Sequence, residues 1–445
     1  MKPLGSAVFL VLLFAIPRSN SQPPLRHRAY LGFGYRPVTR AQADSLGLPD
    51  ADGLVVNRVM PGSPAEKAGL RPGDVLRRFD ETPVTDQSRF RDLLRRYFAG
   101  DTVRVQLFRD GKLSTVRIRT ESLPEEKSGS VDIEYTSFSS GGVRLRAVLA
   151  SPLTSAGKPL PAVLLVSALG SPQLIGIPFY SMTRDLAYAM AGAGFRVLRF
   201  ELRGSGDSEG EDYRTTDFDS EVEDNLAALD YLAGRKDVDP ERVFVYGHST
   251  GGMEAAVIAG RRDLAGLLVS CTVGRTYFER MAETVRLQSR LEGESAAETA
   301  DDVRRYLLFT AAVARGDSLP ILLRRHPEFK AFVNAGGRIM DDRTAEFWRQ
   351  QLELNLPHVY GAVAEPVLIV YAASDFLTSI ACHEHIRDVL TASGNRDVTL
   401  EVIPNTDHAY AFAGDFKESF DHYHAMNYKG NPEAAGRIVA WLRRH

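Results

Sequence analysis

The sequence predicts an α/β protein in two unequal parts, a small mostly-β front domain and a larger one built on a mainly parallel sheet with helices on both faces. Three observations predict this. From Val131 onward, short apolar runs at 162–166, 195–202, 243–246, 264–271, 366–371 and 398–403 alternate with amphipathic stretches. Strands covered on both faces read as unbroken apolar runs, and their alternation with helices implies parallel crossovers. Residues 29–121 have a different, glycine-punctuated rhythm, and a polar stretch with proline and glycine at 122–130 reads as the linker between the parts.

A chain of 445 residues, 44% hydrophobic and 25% charged, is long enough for two or three globular domains. A net charge of -3 gives no electrostatic case for nucleic acid or an anionic membrane. Met1-Lys2, the apolar run Ala7 to Ile16 and the small residues Ser19-Asn20-Ser21 read as a secretory signal peptide over residues 1–21. Its apolar core is too short to span a bilayer. The expected mature chain is secreted or periplasmic, with no integral membrane span; an uncleaved anchor is the alternative. Cys271 and Cys382, the only cysteines, read as small buried residues rather than a bridge. His383-Glu384-His385 lacks the spacing of a zincin helix, and no cofactor or metal is expected.

In the front domain, Ala29-Tyr30-Leu31-Gly32-Phe33-Gly34 is followed by a strand at 53–59. The run Pro61-Gly62-Ser63-Pro64-Ala65-Glu66-Lys67-Ala68-Gly69-Leu70-Arg71-Pro72-Gly73-Asp74-Val75-Leu76 comes next, and Phe90 to Tyr97 has helical spacing. These residues closely resemble a bacterial PDZ domain of the kind attached to periplasmic proteases. The resemblance implies that Leu31, Gly32 and Phe33 form the loop whose amides capture a peptide C-terminal carboxylate, the peptide adding a strand beside it. The alternative is a module that only packs against the larger domain. No residue expected to carry chemistry precedes Ser249, so the front domain is expected to be separable from it.

In the larger domain, the strand from Phe195 runs into Arg203-Gly204-Ser205-Gly206-Asp207-Ser208-Glu209-Gly210, a turn that brings backbone close beneath a site. Val222 to Leu232 is a helix. Residues 273–357 break the strand–helix rhythm with amphipathic helices only, and read as a cap over the site. Met281, Leu287, Leu307, Phe309, Phe329, Phe332 and Trp348 are candidates for pocket lining or, more simply, cap core.

The chemistry is carried by Gly247-His248-Ser249-Thr250-Gly251 at the end of a β-branched strand and the start of a helix. A serine becomes a nucleophile when it is exposed on a sharp turn and faces a base. Small residues at Gly247 and Gly251 permit that turn. An acid and a histidine should follow in order, each after a later strand. Asp375 follows the strand at 366–371 and His408 follows that at 398–403. Asp407 is nearer to His408 in sequence, but adjacent side chains diverge, so Asp375 is preferred. The loop after 162–166 is expected to supply one oxyanion donor, the Thr250 amide the other.

Residues 131–445 thus resemble a bacterial α/β-hydrolase of the serine esterase and aminopeptidase-like group. The resemblance implies Ser249 as nucleophile, Asp375 as acid, His408 as base, and Leu169 and Thr250 as oxyanion donors. The chain departs from the usual pattern in two places. Ala168 stands in Ser167-Ala168-Leu169-Gly170 where glycine is usual, and Glu201 stands where aspartate is usual. The expected function is an exported serine hydrolase acting on an acyl bond, most simply a carboxylic ester. The first alternative is a peptidase fed by the PDZ domain, with Glu279, Glu283, Asp301 and Asp302 as candidates to grip a free N-terminus. The second is a non-catalytic peptide-binding scaffold. The partners expected are a small acyl ester or peptide substrate and a C-terminal peptide ligand at the PDZ domain, with no nucleic acid.

Overall fold

The computed structural model describes residues 24–154, 157–169, 181–334, 337–425 and 428–445. The expected signal peptide at 1–21 lies outside the described residues, as does most of the loop after Leu169. Among the described residues, fourteen strands form two sheets.

The front sheet contains β1 (Phe33–Pro37), β2 (Leu54–Val59), β3 (Val75–Phe79), β4 (Thr82–Pro83), β5 (Thr102–Arg109) and β6 (Lys112–Arg119). Its order is β1-β2-β3-β5-β6, with β4 paired to β3, and every pairing is antiparallel. Asp110 and Gly111, both at positive φ, make the two-residue turn that matches the twist of the β5–β6 hairpin. The helix Gln87–Leu94, capped by Asp86, turns Phe90 and Leu93 into the core. Phe90 also meets the rings of Phe33 and Tyr35 on β1, with centroids 5.9 and 5.1 Å away. The strand β1 therefore forms one edge of the sheet with this helix beside it.

The larger sheet contains β7 (Val131–Ser140), β8 (Val143–Pro152), β9 (Leu160–Val166), β10 (Arg196–Phe200), β11 (Val238–His248), β12 (Gly266–Ser270), β13 (Val367–Ala372) and β14 (Val398–Ile403). Its order is β7-β8-β10-β9-β11-β12-β13-β14. The β7–β8 and β8–β10 pairs are antiparallel and all others parallel. The central strands are apolar throughout because alternate residues feed two cores. Leu164, Val245, Val269 and Ile369 face the helices Phe218–Ala233 and Thr250–Ala259. Val163, Phe244, Leu268 and Leu368 face Met182–Gly192 and Pro432–Leu442.

Among the described residues between β12 and β13 there are five α-helices, from Tyr277 to Gly361. Met281, Phe309, Phe329 and Trp348 are buried there in a core continuous with that of the body, whereas Leu287, Leu307 and Phe332 are half-buried. The cap is tied to the body by Arg343, which is buried, pairs with Glu221 and donates to the Thr216 carbonyl at 2.9 Å.

The two parts are fastened by polar contacts that composition did not show. Asp207 accepts the Arg28 amide at 2.6 Å and meets His27 Nδ1 at 2.7 Å. Arg95, just past the helix Gln87–Leu94, donates to the Gly204 carbonyl at 2.6 Å and pairs with Asp212 at 2.7 Å. The linker is also pinned. The buried Glu126 carboxylate pairs with Arg199, which is 0% exposed, and accepts the Tyr188 hydroxyl at 2.8 Å.

Removing one partner of a buried pair leaves a poorly solvated charge, whereas an exposed side chain is nearly neutral to truncation. Glu126→Ala should therefore lower the stability read from urea unfolding by about 3 kcal/mol. The exposed neighbour Glu125, changed to Ala, should shift it by less than about 0.5 kcal/mol. Equal effects at the two positions would show that the Arg199 pair adds nothing.

Candidate active site

Strand β11 ends at His248 and the helix begins at Thr250, so Ser249 alone makes the turn between them. Its backbone sits at φ 54° and ψ -125°, a region that costs a side-chain-bearing residue on the order of 1–3 kcal/mol. Three hydrogen bonds hold it there. The Ser249 amide donates to the Ser270 carbonyl at 2.9 Å, and its carbonyl accepts the Thr272 hydroxyl at 2.6 Å and the Gly252 amide at 3.0 Å. The flanking glycines are needed for space: a Cβ on Gly251 would lie 2.6 Å from the Ser167 carbonyl oxygen, and one on Gly247 would lie 2.7 Å from the Ala255 methyl.

Asp375 and His408 come from the loops after β13 and β14, beside this turn. His408 Nδ1 lies 2.8 Å from Asp375 Oδ2. Asp375 is fully buried and also accepts the amides of Leu377 at 2.7 Å and Thr378 at 3.2 Å, and the Thr378 hydroxyl. Burial alone would push this carboxyl up; the His408 imidazole and these donors outweigh it and hold it at about 2. A carboxylate at Nδ1 fixes the tautomer that leaves Nε2 as the acceptor. Asp407 does other work. Its Oδ1 accepts the amides of Ala409 and Ala411 at 2.9 and 2.8 Å, so it braces the loop that presents His408. Among the described residues no hydrogen bond joins the Ser249 hydroxyl to His408. Such bonds are often long until substrate closes the site.

Two histidines that the motif reading passed over support this geometry. The His248 ring lies 4.7 Å from that of His408, and its Nδ1 is 3.1 Å from the Ser270 hydroxyl. Ser270 in turn bonds Tyr410, whose hydroxyl is 3.2 Å from that of Tyr246. Burial, with His408 adding to it, drives the His248 pKa well down, so His408 packs on a neutral ring. His383 donates from Nδ1 to the Ser379 carbonyl at 2.8 Å and accepts the Thr272 amide on Nε2 at 3.1 Å. Burial pushes it down to about 4, and Thr272 is the residue that holds the Ser249 carbonyl. Nothing in a single sequence marks either histidine, because both contacts are long-range.

Cys271, Asp375 and His408 bring possible metal-ligand atoms within 4.8 Å of one another. Burial keeps the thiol protonated and the Asp375 oxygens are already engaged by donors, so the arrangement fits packing behind the acid better than a metal cage. Cys271 and Cys382 are both free and buried. The Leu169 amide donates to the Thr250 hydroxyl at 2.7 Å, which tethers the loop after β9 to the start of the helix Thr250–Ala259. Gly170, Ser171 and Pro172 lie outside the described residues.

Comparison with known proteins agrees with this architecture. Residues 29–120 match the PDZ domain family, and residues 179–413, more than half of the chain, match the family described as serine aminopeptidase, S33. A probable periplasmic serine endoprotease, DegP-like, of Rhizobium meliloti (strain 1021) is 43% identical over 126 residues, 26% of this chain and 24% of that protein. The chain thus spans about a quarter of the length of that relative. The quorum-quenching protein AidA of Acinetobacter baumannii (strain MDR-ZJ06) is 28% identical over 163 residues, 36% of this chain and 50% of that protein. Among solved structures, the α/β hydrolase GrgF from Penicillium sp. sh18 superposes with a TM-score of 0.45 at 17% identity, covering 71% of this chain and 99% of that one. With its PDZ domain in front and its α/β-hydrolase body behind, the chain belongs to the serine aminopeptidase, S33 family.

Proposed function

We propose that the chain is an exported serine hydrolase that cleaves a carboxylic ester through an acyl-enzyme, with Ser249 as nucleophile, His408 as base and Asp375 as the acid that orients it. The observation that carries this reading is the 2.8 Å contact between His408 and the ionised, buried Asp375, beside a serine held in a strained turn. In the reaction, His408 Nε2 takes the Ser249 proton as Oγ bonds to the ester carbonyl carbon. The tetrahedral oxyanion forms near the Thr250 and Leu169 amides, and Leu169 turns its donor from the Thr250 hydroxyl to the substrate. Collapse breaks the bond to the alkoxy oxygen, which leaves as an alcohol with the proton from His408. Water then repeats the sequence to release the acid.

A peptidase is the second reading, and the family's own description favours it. Three of the four acids considered for gripping a free N-terminus have other partners, and the fourth, Asp301, is exposed. Glu279 caps its own helix through Thr276, Glu283 meets Arg275 at 2.9 Å and the Ser379 hydroxyl at 2.7 Å, and Asp302 pairs with Arg305. That supports the ester reading. Export is supported by the signal-peptide pattern of residues 1–21 and by the similarity of the front domain to part of probable periplasmic serine endoproteases, DegP-like. No helix among the described residues is long and apolar enough to cross a membrane. The front domain is assigned the binding of free peptide C-termini at Leu31, Gly32 and Phe33.

Ser249→Ala should abolish both hydrolysis of a short-chain aryl ester and labelling by a fluorophosphonate probe, with the circular dichroism spectrum unchanged. Turnover above a tenth of wild type would remove Ser249 from its role.

Asp375→Asn should cut turnover by roughly 10³ to 10⁴, because the amide stabilises the wrong imidazole tautomer. Asp407→Asn should do far less, since its carboxylate accepts backbone amides. A reversed order of the two effects would move the acid assignment to Asp407.

The Asp375 carboxylate also makes stability depend on pH. Its folded pKa of about 2 lies below the usual 3.8, so its contribution is complete above about pH 4 and is lost as pH falls through 2. Wild type should therefore lose on the order of 2 kcal/mol more than Asp375→Asn between pH 5 and pH 2 in urea titrations. Parallel pH profiles would contradict this.

A further inference from the structure

The front domain's peptide edge does not face open solvent at its carboxylate-binding end. A cavity of about 210 Å³ lies there, and its walls come from both domains. Leu31, Gly32, Phe33, Phe90 and Leu94 form the front-domain side. The other side consists of Leu123 from the linker and Arg146, Glu201, Gly206 and Asp207 from the hydrolase body. This volume is below the roughly 300–1,000 Å³ that encloses a drug-sized ligand, so it suits the end of a chain rather than a whole molecule.

We propose that this seam is a composite site for a free peptide C-terminus, in which the hydrolase body supplies one wall and a second cation, Arg146, facing the terminal carboxylate. The inference rests on reading the front domain as a C-terminus binder, and adds that the catalytic domain shares in the recognition.

Three observations carry it. First, β1 is the edge strand of its sheet, so its outer backbone groups can pair with an added strand. Exposed Arg36 and Pro37 mark the end at which such a peptide would leave toward solvent. Second, the pocket has an apolar half for a terminal side chain, where Phe33 and Phe90 meet at 5.9 Å. Third, its charge suits an anion. Arg28 and Arg146 bring two guanidiniums, against which Asp207 is one carboxylate, shared among Arg146, His27 and the Arg28 amide. Glu201 adds no charge at neutral pH, since burial pushes its carboxyl up to about 8. The Arg146 side chain is 7% exposed, so a carboxylate beside it meets a poorly hydrated cation, where a charged hydrogen bond is strongest.

The test is calorimetry on the full chain with decapeptides ending in Val, Leu or Phe, each as the free acid and as the C-terminal amide. Wild type should bind at least one free acid and lose it on amidation. Arg146→Met should weaken that peptide by about tenfold, the value of one charge-assisted hydrogen bond. Arg146 is buried and its variant can fail to fold. Leu123→Glu, at a half-buried linker position, provides an independent arm by placing a repelling carboxylate at the mouth. It should weaken the free acid to a similar degree without lowering the melting temperature. Arg144→Met, on the same strand but paired with Glu209, is the control and should bind as wild type. Free-acid binding within twofold of wild type in a folded Arg146 or Leu123 variant would overturn the shared wall and leave a front domain that binds alone. A wild-type chain that binds neither form, or both equally, would overturn the C-terminus reading as well. Because binding is read without turnover, neither result depends on the ester hydrolysis.

Discussion

The rest of the hydrolase body is arranged around one constraint, the backbone of Ser249. A residue with a Cβ at φ 54° and ψ -125° does not stay there by preference; the surroundings must over-determine it. The neighbouring strand does much of this. Strand β12 supplies the Ser270 carbonyl to the Ser249 amide, and Thr272, just past the same strand, supplies a hydroxyl to the Ser249 carbonyl. Thr272 is itself held through its amide by the neutral His383 on the helix after β13. The strain is thus balanced by contacts spread over β11, β12 and the segment after β13. The same parallel register brings the loops after β13 and β14, with Asp375 and His408, to that end of the sheet.

A second junction lies at Arg214, where three pieces of the molecule meet. Its guanidinium pairs with Asp212 in its own loop, with Asp92 on the front-domain helix Gln87–Leu94, and with Asp342 of the cap at 3.1 Å. It is buried and meets all three carboxylates at once. The three contacts coexist only if the front domain, the turn and the helical segment after β12 keep one mutual arrangement. The front-domain helix Gln87–Leu94 and the helical segment between β12 and β13 therefore share a fastening.

The sheet and the order of Ser249, Asp375 and His408 were legible because they depend on short-range pattern. Buried strands are unbroken apolar runs, and the residues at their ends stand out against them. The strand read at 264–271 is observed at Gly266–Ser270, whereas the run read at 243–246 begins five residues earlier, at Val238. The preference for Asp375 over Asp407 came from a local argument about diverging neighbours. Asp375 makes the 2.8 Å contact with His408 Nδ1, while the Asp407 carboxylate accepts the Ala409 and Ala411 amides. What was not legible is long-range pairing of polar groups. The tilted contact of His248 with His408, the tie from His383 to Thr272 and the burial of Glu126 against Arg199 join residues far apart in sequence, with no periodicity to betray them. The polar composition of the linker concealed its most constrained residue.

The departure at Glu201 has a physical account in the same terms. Where relatives in this fold tend to carry aspartate, the longer side chain reaches across the glycine-rich turn and accepts the Asp207 amide at 2.7 Å. Gly206 must then lack a side chain, because a Cβ there would collide with the Glu201 carboxyl, and its φ of 50° suits glycine for the same turn. The turn presents the Asp207 carboxylate outward to His27 and to the Arg28 amide, which are the first fastenings of the front domain. A buried carboxyl is tolerable at this position because it stays neutral, with its oxygen satisfied by a backbone donor. The extra methylene thus has a structural role that the catalytic chemistry does not require: it shapes the surface on which the PDZ domain docks.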